Sequence, residues 1–178
     1  EAYNLATTLG KPLAATASGL DWAFVKQHNC EELVRLWIAL AYAHGQRLMV
    51  PHPKQQWCFN QELGTHWYAA PIEAYAPMYR FIRGRSVWFD DFEAIELKLL
   101  KAPENILCTT RRKTDSGDIV LHVLNRNYDK VSKRFNPLSQ VKIRFKKSPI
   151  LDFVKQATII SYDAPDQKIR VNQQNDAI

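Results

Sequence analysis

The sequence of 178 residues predicts an α/β unit followed by an all-β unit. Before Pro103, helical segments alternate with short apolar strands, an order typical of parallel βαβ architecture. After Pro103, the hydrophobic period changes to two, as in antiparallel strands. Composition changes as well: all five tryptophans lie in the first half, whereas residues 109–147 hold eleven Lys or Arg and three Asp. We therefore expect two domains, residues 1–102 and residues 103–178.

The first strand is predicted between two helices. Residues 1–9 are typical of the end of a helix, which Gly10 closes in a left-handed cap. Residues 11–17 are short, apolar and uncharged after the first lysine, as in a strand buried on both faces. Residues 18–22 are predicted to form a loop. Apolar side chains then cover most of the surface of residues 33–43, which predicts a largely buried helix.

The second strand follows that helix. Residues 46–50 are predicted to form it, and Pro51 ends it. The loop predicted from residue 52 to residue 70 is longer than a simple connection needs. A helix is expected from Ile72 or Tyr75, followed by a short helix at residues 86–93. This half therefore contains two consecutive strand–helix units.

The second half is predicted to be an antiparallel sandwich or a small barrel. The segment from Asp115 to Asp118 is a hairpin turn, in which Gly117 supplies a positive φ. From Val141 to Phe145, apolar and basic residues alternate, which predicts a sheet with one solvated, basic face. The expected strands are residues 105–112, 118–125, 140–145, 157–161 and 168–171.

A carbohydrate site is predicted in the loops that follow the two parallel strands, where α/β proteins place their functional residues. Aromatic faces suit the C–H faces of a sugar, and imidazoles and amides can bond its hydroxyl groups. The alternative is that these rings pack the second loop onto the fold. The expected substrate-binding residues are Trp57, His66, Trp67, Tyr68, His52 and Asp21.

Catalytic residues are harder to assign. Hydrolysis of a glycoside needs two carboxyl groups about 5 to 9.5 Å apart, and the two loops offer only Asp21 and Glu62. Asp21 could instead begin a helical turn, and Glu62 could simply be solvated. Cys58 beside a histidine could act as a nucleophile, although a partly buried thiol is the favoured interpretation. We therefore expect the catalytic pair to lie outside this chain.

Other classes of site are not indicated. The sequence has no G-x-S-x-G motif, no glycine-rich phosphate loop and no zinc-ligand spacing, so neither a cofactor nor a metal is predicted. No apolar run approaches the roughly 18 to 20 residues of a membrane helix. The basic second half could bind nucleic acid or an anionic glycan, but a solvated sheet face is the simpler interpretation. Nucleic acid is not expected, because the aromatic ribonucleoprotein pattern is missing.

Two parts of the chain carry a family resemblance. Residues 36–57 (LWIALAYAHGQRLMVPHPKQQW) and 75–95 (YAPMYRFIRGRSVWFDDFEAI) resemble the last βα units of bacterial (β/α)8-barrel glycoside hydrolases. Residues 119–129 (IVLHVLNRNYD), 136–145 (NPLSQVKIRF) and 157–163 (ATIISYD) resemble the antiparallel domain that follows the barrel in many of them.

The resemblance implies that residues 11–17 and 46–50 are strands seven and eight of a TIM-type barrel, followed by a β-sandwich. The chain would then be the C-terminal portion of a secreted or periplasmic enzyme that degrades a polysaccharide. Its partners would be the substrate and the N-terminal part of the barrel, or another chain. The residues themselves leave two alternatives: a non-catalytic module whose basic sheet binds an acidic glycan or nucleic acid, and an interaction domain with no ligand.

Overall fold

The computed structural model describes residues 2–15, 19–50, 72–90 and 92–170. Its contacts divide the chain into two compact units. Unit 1 comprises Glu1–Glu96 and Pro103–Val141. Unit 2 comprises Leu97–Ala102 and Lys142–Ile178.

The described secondary structure is a mixture of helices and short strands. The helices are α1 (Ala2–Thr8), α2 (Gly19–His28), α3 (Glu32–Ala43) and α4 (Ile72–Arg83). Short 3-10 helices lie at Ser86–Trp88 and Pro149–Leu151. The strands are β1 (Ala14–Ala15), β2 (Arg47–Leu48), β3 (Phe92–Ala94), β4 (Leu99–Lys101), β5 (Ile106–Lys113), β6 (Ile119–Asn125), β7 (Tyr128–Asp129), β8 (Arg134–Phe135), β9 (Arg144–Phe145), β10 (Gln156–Ile159) and β11 (Gln167–Arg170).

The two predicted apolar strands pair in parallel, as expected. Ala14 lies opposite Arg47, and Ala15 lies opposite Leu48. The backbone N–H of Met49 extends the pairing by donating to the carbonyl of Ala15 at 2.6 Å. Each strand is only two residues long, because the hydrogen-bonded ladder covers just the middle of the predicted range.

Helix α2 differs from the prediction. Residues 18–22 are predicted to be a loop, whereas α2 already begins at Gly19. Asp21 is thus the third residue of a helix. The short apolar stretch after Asp21 continues the helix to His28.

Helix α3 forms the centre of the hydrophobic core, and the prediction that it is largely buried is confirmed. Val34 and Ile38 are fully buried, and none of its twelve residues is exposed. Val25 of α2, together with Tyr75 and Ile82 of α4, packs in the same cluster. The apolar surface that this sequence spreads around α3 is therefore covered on several sides.

A three-stranded antiparallel sheet packs against the end of this helical layer. Its strand order is β3–β5–β6, and Gly117 turns between β5 and β6 with a φ of 74°, as predicted. The Thr109 hydroxyl donates to the Ala43 carbonyl at 2.8 Å, and the Phe135 N–H donates to the Glu32 carboxylate at 3.2 Å.

Those long-range hydrogen bonds explain why the observed division differs from the expected boundary between residues 102 and 103. Residues 103–141 contact α3 and belong to unit 1, whereas Leu97–Ala102 belongs to unit 2. Unit 2 contains two antiparallel pairs, β4 with β9 and β10 with β11. Among the described residues, the strands form small separate sheets and no closed barrel.

Candidate functional site

Of the residues predicted to bind sugar, one lies in the part of the chain that the structure describes. Asp21 lies in α2 rather than in a loop. The other candidates lie outside the described residues; they are His52, Trp57, Glu62, His66, Trp67 and Tyr68.

The carboxyl ends of β1 and β2, after which most of those residues follow in the sequence, belong to the described part of the chain. Strands β1 and β2 run parallel, so both chain segments leave the pair at the same edge. Helix α4 is held there because the Tyr79 hydroxyl donates to the carbonyl of Leu48. Burial, reinforced by the neighbouring tyrosines Tyr42 and Tyr75, raises the pKa of Tyr79 far above its usual value. Tyr79 is thus a neutral hydrogen-bond donor that fixes α4 to the end of β2.

The opposite edge of the strand pair is closed by Gln46. This side chain is only 4% exposed, and its amide nitrogen donates to the Lys11 carbonyl at 3.3 Å and to the Thr7 hydroxyl at 3.5 Å. Its amide oxygen accepts from the Leu13 N–H. The side-chain amide of Gln46 uses both its oxygen and its nitrogen to join β2 to the segment before β1, so its role is structural.

A second cluster of polar residues lies where α3 meets the three-stranded sheet. Arg111, on β5, is only 9% exposed, and its guanidinium covers Gly45 so closely that a Cβ at that position would overlap it. Gly45 has a φ of 70°, a conformation that favours glycine. The cationic group therefore lies at the C-terminal end of α3, where it complements the negative end of the helix dipole.

Two histidines lie close enough to this guanidinium for its positive charge to lower their pKa values. Burial and the positive charge of Arg111, with a further contribution from His44, lower the pKa of His122 to about 4. Burial and Arg111 also lower the pKa of His44. The ring of His122 packs on Phe89, with centroids 5.7 Å apart.

Aromatic contacts continue from this cluster to a surface ion pair. Phe89 contacts Tyr42 edge to face, and the guanidinium of Arg47 lies 4.7 Å from the Tyr42 ring centre. Arg47 also binds the Asp90 carboxylate at 2.7 Å. The geometry suits packing of α3 onto the sheet. With a pKa of about 4, His122 carries no proton to donate near neutral pH and so does not suit the role of a general acid there.

No sequence pattern pointed to this cluster. His44 and Gly45 signalled only the end of a helix, and Arg111 was one of eleven basic residues in a long stretch. Arg111 and Gly45 are far apart in the sequence. Hydrophobic periodicity describes only neighbouring residues, so it could not predict their contact.

The structure separates the basic stretch into residues with different surroundings. Arg111 is buried, and Arg112 forms an ion pair with Glu93. Several basic residues of unit 2 are instead exposed, among them Lys142 and Arg144. In the described ranges, no three His, Cys, Asp or Glu side chains are grouped so as to hold a metal ion. In these same ranges, every helix is too short or too polar to cross a membrane.

Comparisons with protein-family models, with curated proteins and with solved structures find no match to this chain.

Proposed function

We propose that this chain is the C-terminal portion of a glycoside hydrolase that acts on a polysaccharide. In this proposal its loops contact the sugar, and the catalytic carboxylates come from another part of the enzyme. The observation that carries the proposal is the parallel pairing of β1 with β2. That pairing brings the segments after Ala15 and Leu48 out at one edge, which is where barrel enzymes bind their substrates.

Exposed apolar side chains support the need for further structure around this pair. Leu5 and Leu9 of the N-terminal segment are about three-fifths exposed, at 61% and 60%, and Met49 is 56% exposed. Parallel strands are normally covered on both faces and continued by neighbouring strands. If the rest of a barrel packs against β1 and β2 in the complete enzyme, this chain alone should show two short parallel strands with exposed apolar side chains beside them. The structure of this chain has both features.

The residues between β2 and α4 are the proposed source of sugar contacts. The Tyr79 hydroxyl binds the carbonyl of Leu48, so α4 contacts the carboxyl end of β2, where this segment begins. The segment carries Trp57, Trp67 and Tyr68, whose rings can contact sugar C–H faces.

Affinity electrophoresis of the full chain in gels with soluble starch, xylan or β-glucan tests this function. We expect one neutral polysaccharide to retard the protein. Trp57→Ala and Trp67→Ala should each weaken that binding by roughly 1 to 3 kcal/mol, the range of a well-packed aromatic contact. The matched control is Trp88→Ala, since Trp88 lies in the 3-10 helix outside this segment.

Circular dichroism of each variant separates a binding defect from unfolding. The proposal is wrong if no polysaccharide retards the wild-type chain, or if both loop variants bind like the control. It is also wrong if both loop variants unfold, because the rings are then part of the core.

A further inference from the structure

The two strands that open unit 2 concentrate positive charge. Residues 97–102 and 142–148 contain six Lys or Arg and no acidic residue. All six side chains are exposed, and none takes part in the ion pairs found among the described residues. We call this set the basic strip; it consists of Lys98, Lys101, Lys142, Arg144, Lys146 and Lys147.

Strand pairing places these charges opposite one another. Lys101 lies directly across from Arg144 in the β4–β9 pair. Next to them, the backbone N–H of Lys146 donates to the carbonyl of Lys98 at 2.8 Å. Like charges in cross-strand positions destabilise a sheet, so this arrangement costs stability unless an anion lies between the side chains.

Other basic residues of the stretch have different surroundings. Lys130 and Arg134 are exposed but lie in unit 1, where Arg134 is opposite Asp129 in the β7–β8 pair. Arg111 is buried against Gly45, and Arg112 is paired with Glu93. Among the described strand pairs, only β4–β9 places two cations directly opposite each other.

We infer that the basic strip is a binding site for an acidic polysaccharide, whose sulfate or carboxylate groups bridge the opposed Lys and Arg side chains. Arg144 lies on β9, and Lys142 and Lys146 are the exposed cations two positions before and after it, so the three offer several cations to a linear polyanion. Lysine and arginine both bind such anions through charge-assisted hydrogen bonds.

Nucleic acid fits this strip less well. Proteins that bind single strands place exposed aromatic rings among the basic residues, whereas Phe145 is partly buried and is paired with Leu99. A β-ribbon that enters the major groove must be long enough to fill it, and β4 and β9 are three and two residues long.

The test is binding of the full chain to dextran sulfate, to polygalacturonate and to neutral dextran at low salt. We expect one or both of the acidic polymers to bind, and dextran not to bind. The two acidic polymers distinguish a sulfate from a carboxylate preference. Binding should weaken steeply between about 50 and 200 mM salt, because counterions are released.

The decisive variant is the double substitution Lys101→Gln with Arg144→Gln. It should weaken binding of the preferred acidic polymer roughly tenfold, as expected for two exposed charge contacts. Lys130→Gln with Arg134→Gln is the matched control, because it removes two exposed charges from unit 1. We expect this control to change the affinity by less than about twofold.

Three results would overturn the inference. They are equal losses in the two double variants, no binding of either acidic polymer, and tighter binding of a single-stranded oligonucleotide than of either one. Trp57→Ala should leave binding of the acidic polymer unchanged, so the basic strip can be right or wrong independently of the proposed glycosidase function.

Discussion

Units 1 and 2 are stabilised in different ways. In unit 1, side chains such as Val25, Val34 and Ile38 are completely excluded from solvent. In unit 2, none of the described residues is buried, and the strand pairs β4–β9 and β10–β11 are its main regular contacts. Burial of apolar surface is the dominant favourable term in folding, so we expect unit 1 to supply most of the stability. Repulsion between the basic side chains of unit 2 is weakened by solvent and salt, because these side chains are exposed.

The largest expected effect tests that contrast directly. Ile38→Ala should lower the free energy of unfolding by about 2 to 5 kcal/mol, because it opens a cavity in the core of unit 1. Ile159→Ala in unit 2 is the control; Ile159 is 47% exposed, and its loss should cost less than about 1 kcal/mol. Urea unfolding followed by circular dichroism measures both. Equal losses would mean that unit 2 has a core of its own.

The next effect depends on pH and also belongs to unit 1, which holds all the described histidines. The folded pKa of His122 is about 4, below its unfolded value of 6.5. Its neutral form is therefore favoured in the native state, and stability falls as the pH decreases from 6.5 to 4. The loss should reach about 3 kcal/mol.

Thermal unfolding between pH 7 and pH 4 measures this loss, and His122→Gln should remove much of the slope. If stability depends on pH in the His122→Gln variant as it does in the wild type, the prediction is wrong, because other groups then cause the acid sensitivity.

The smallest effect compares two glycines with similar backbones. Gly45 and Gly117 have φ values of 70° and 74°, so alanine costs roughly 1 to 2 kcal/mol at either position. At Gly45 the new Cβ must also displace the guanidinium of Arg111, whereas nothing lies near the Cβ position at Gly117. Gly45→Ala should therefore be more destabilising by about 1 kcal/mol, since it disturbs a buried charged group. Equal losses in urea unfolding would show that Arg111 moves aside freely.

Local patterns in the sequence were sufficient for some elements. The apolar surface of α3 and the alternation around Gly117 depend on neighbouring residues, and both were predicted correctly. The start of α2 was missed, because Ser18 and Gly19 are typical of loops while the helix begins at Gly19.

The domain boundary and the polar cluster depend on contacts between distant residues. The Thr109 hydroxyl reaches the carbonyl of Ala43, 66 residues away, and Arg111 reaches Gly45. Periodicity and composition indicate whether a segment is buried or exposed, but not which other segment it contacts. Residues 103–141 were therefore predicted to belong to the second domain, residues 103–178. The sugar contacts at Trp57 and Trp67 stay predictions, because they lie outside the described residues.

The path of the chain between the two units has a practical consequence. Unit 1 is interrupted by Leu97–Ala102, so the polypeptide passes from one unit to the other three times. An expression clone that stops at residue 102 would remove Thr109 and Arg111, the residues that contact the end of α3. It would also retain β4 without its partner β9. A clone that ends at residue 141 keeps both segments of unit 1, including Thr109 and Arg111. Protease cleavage between residues 97 and 102 should therefore nick the protein without releasing either unit whole.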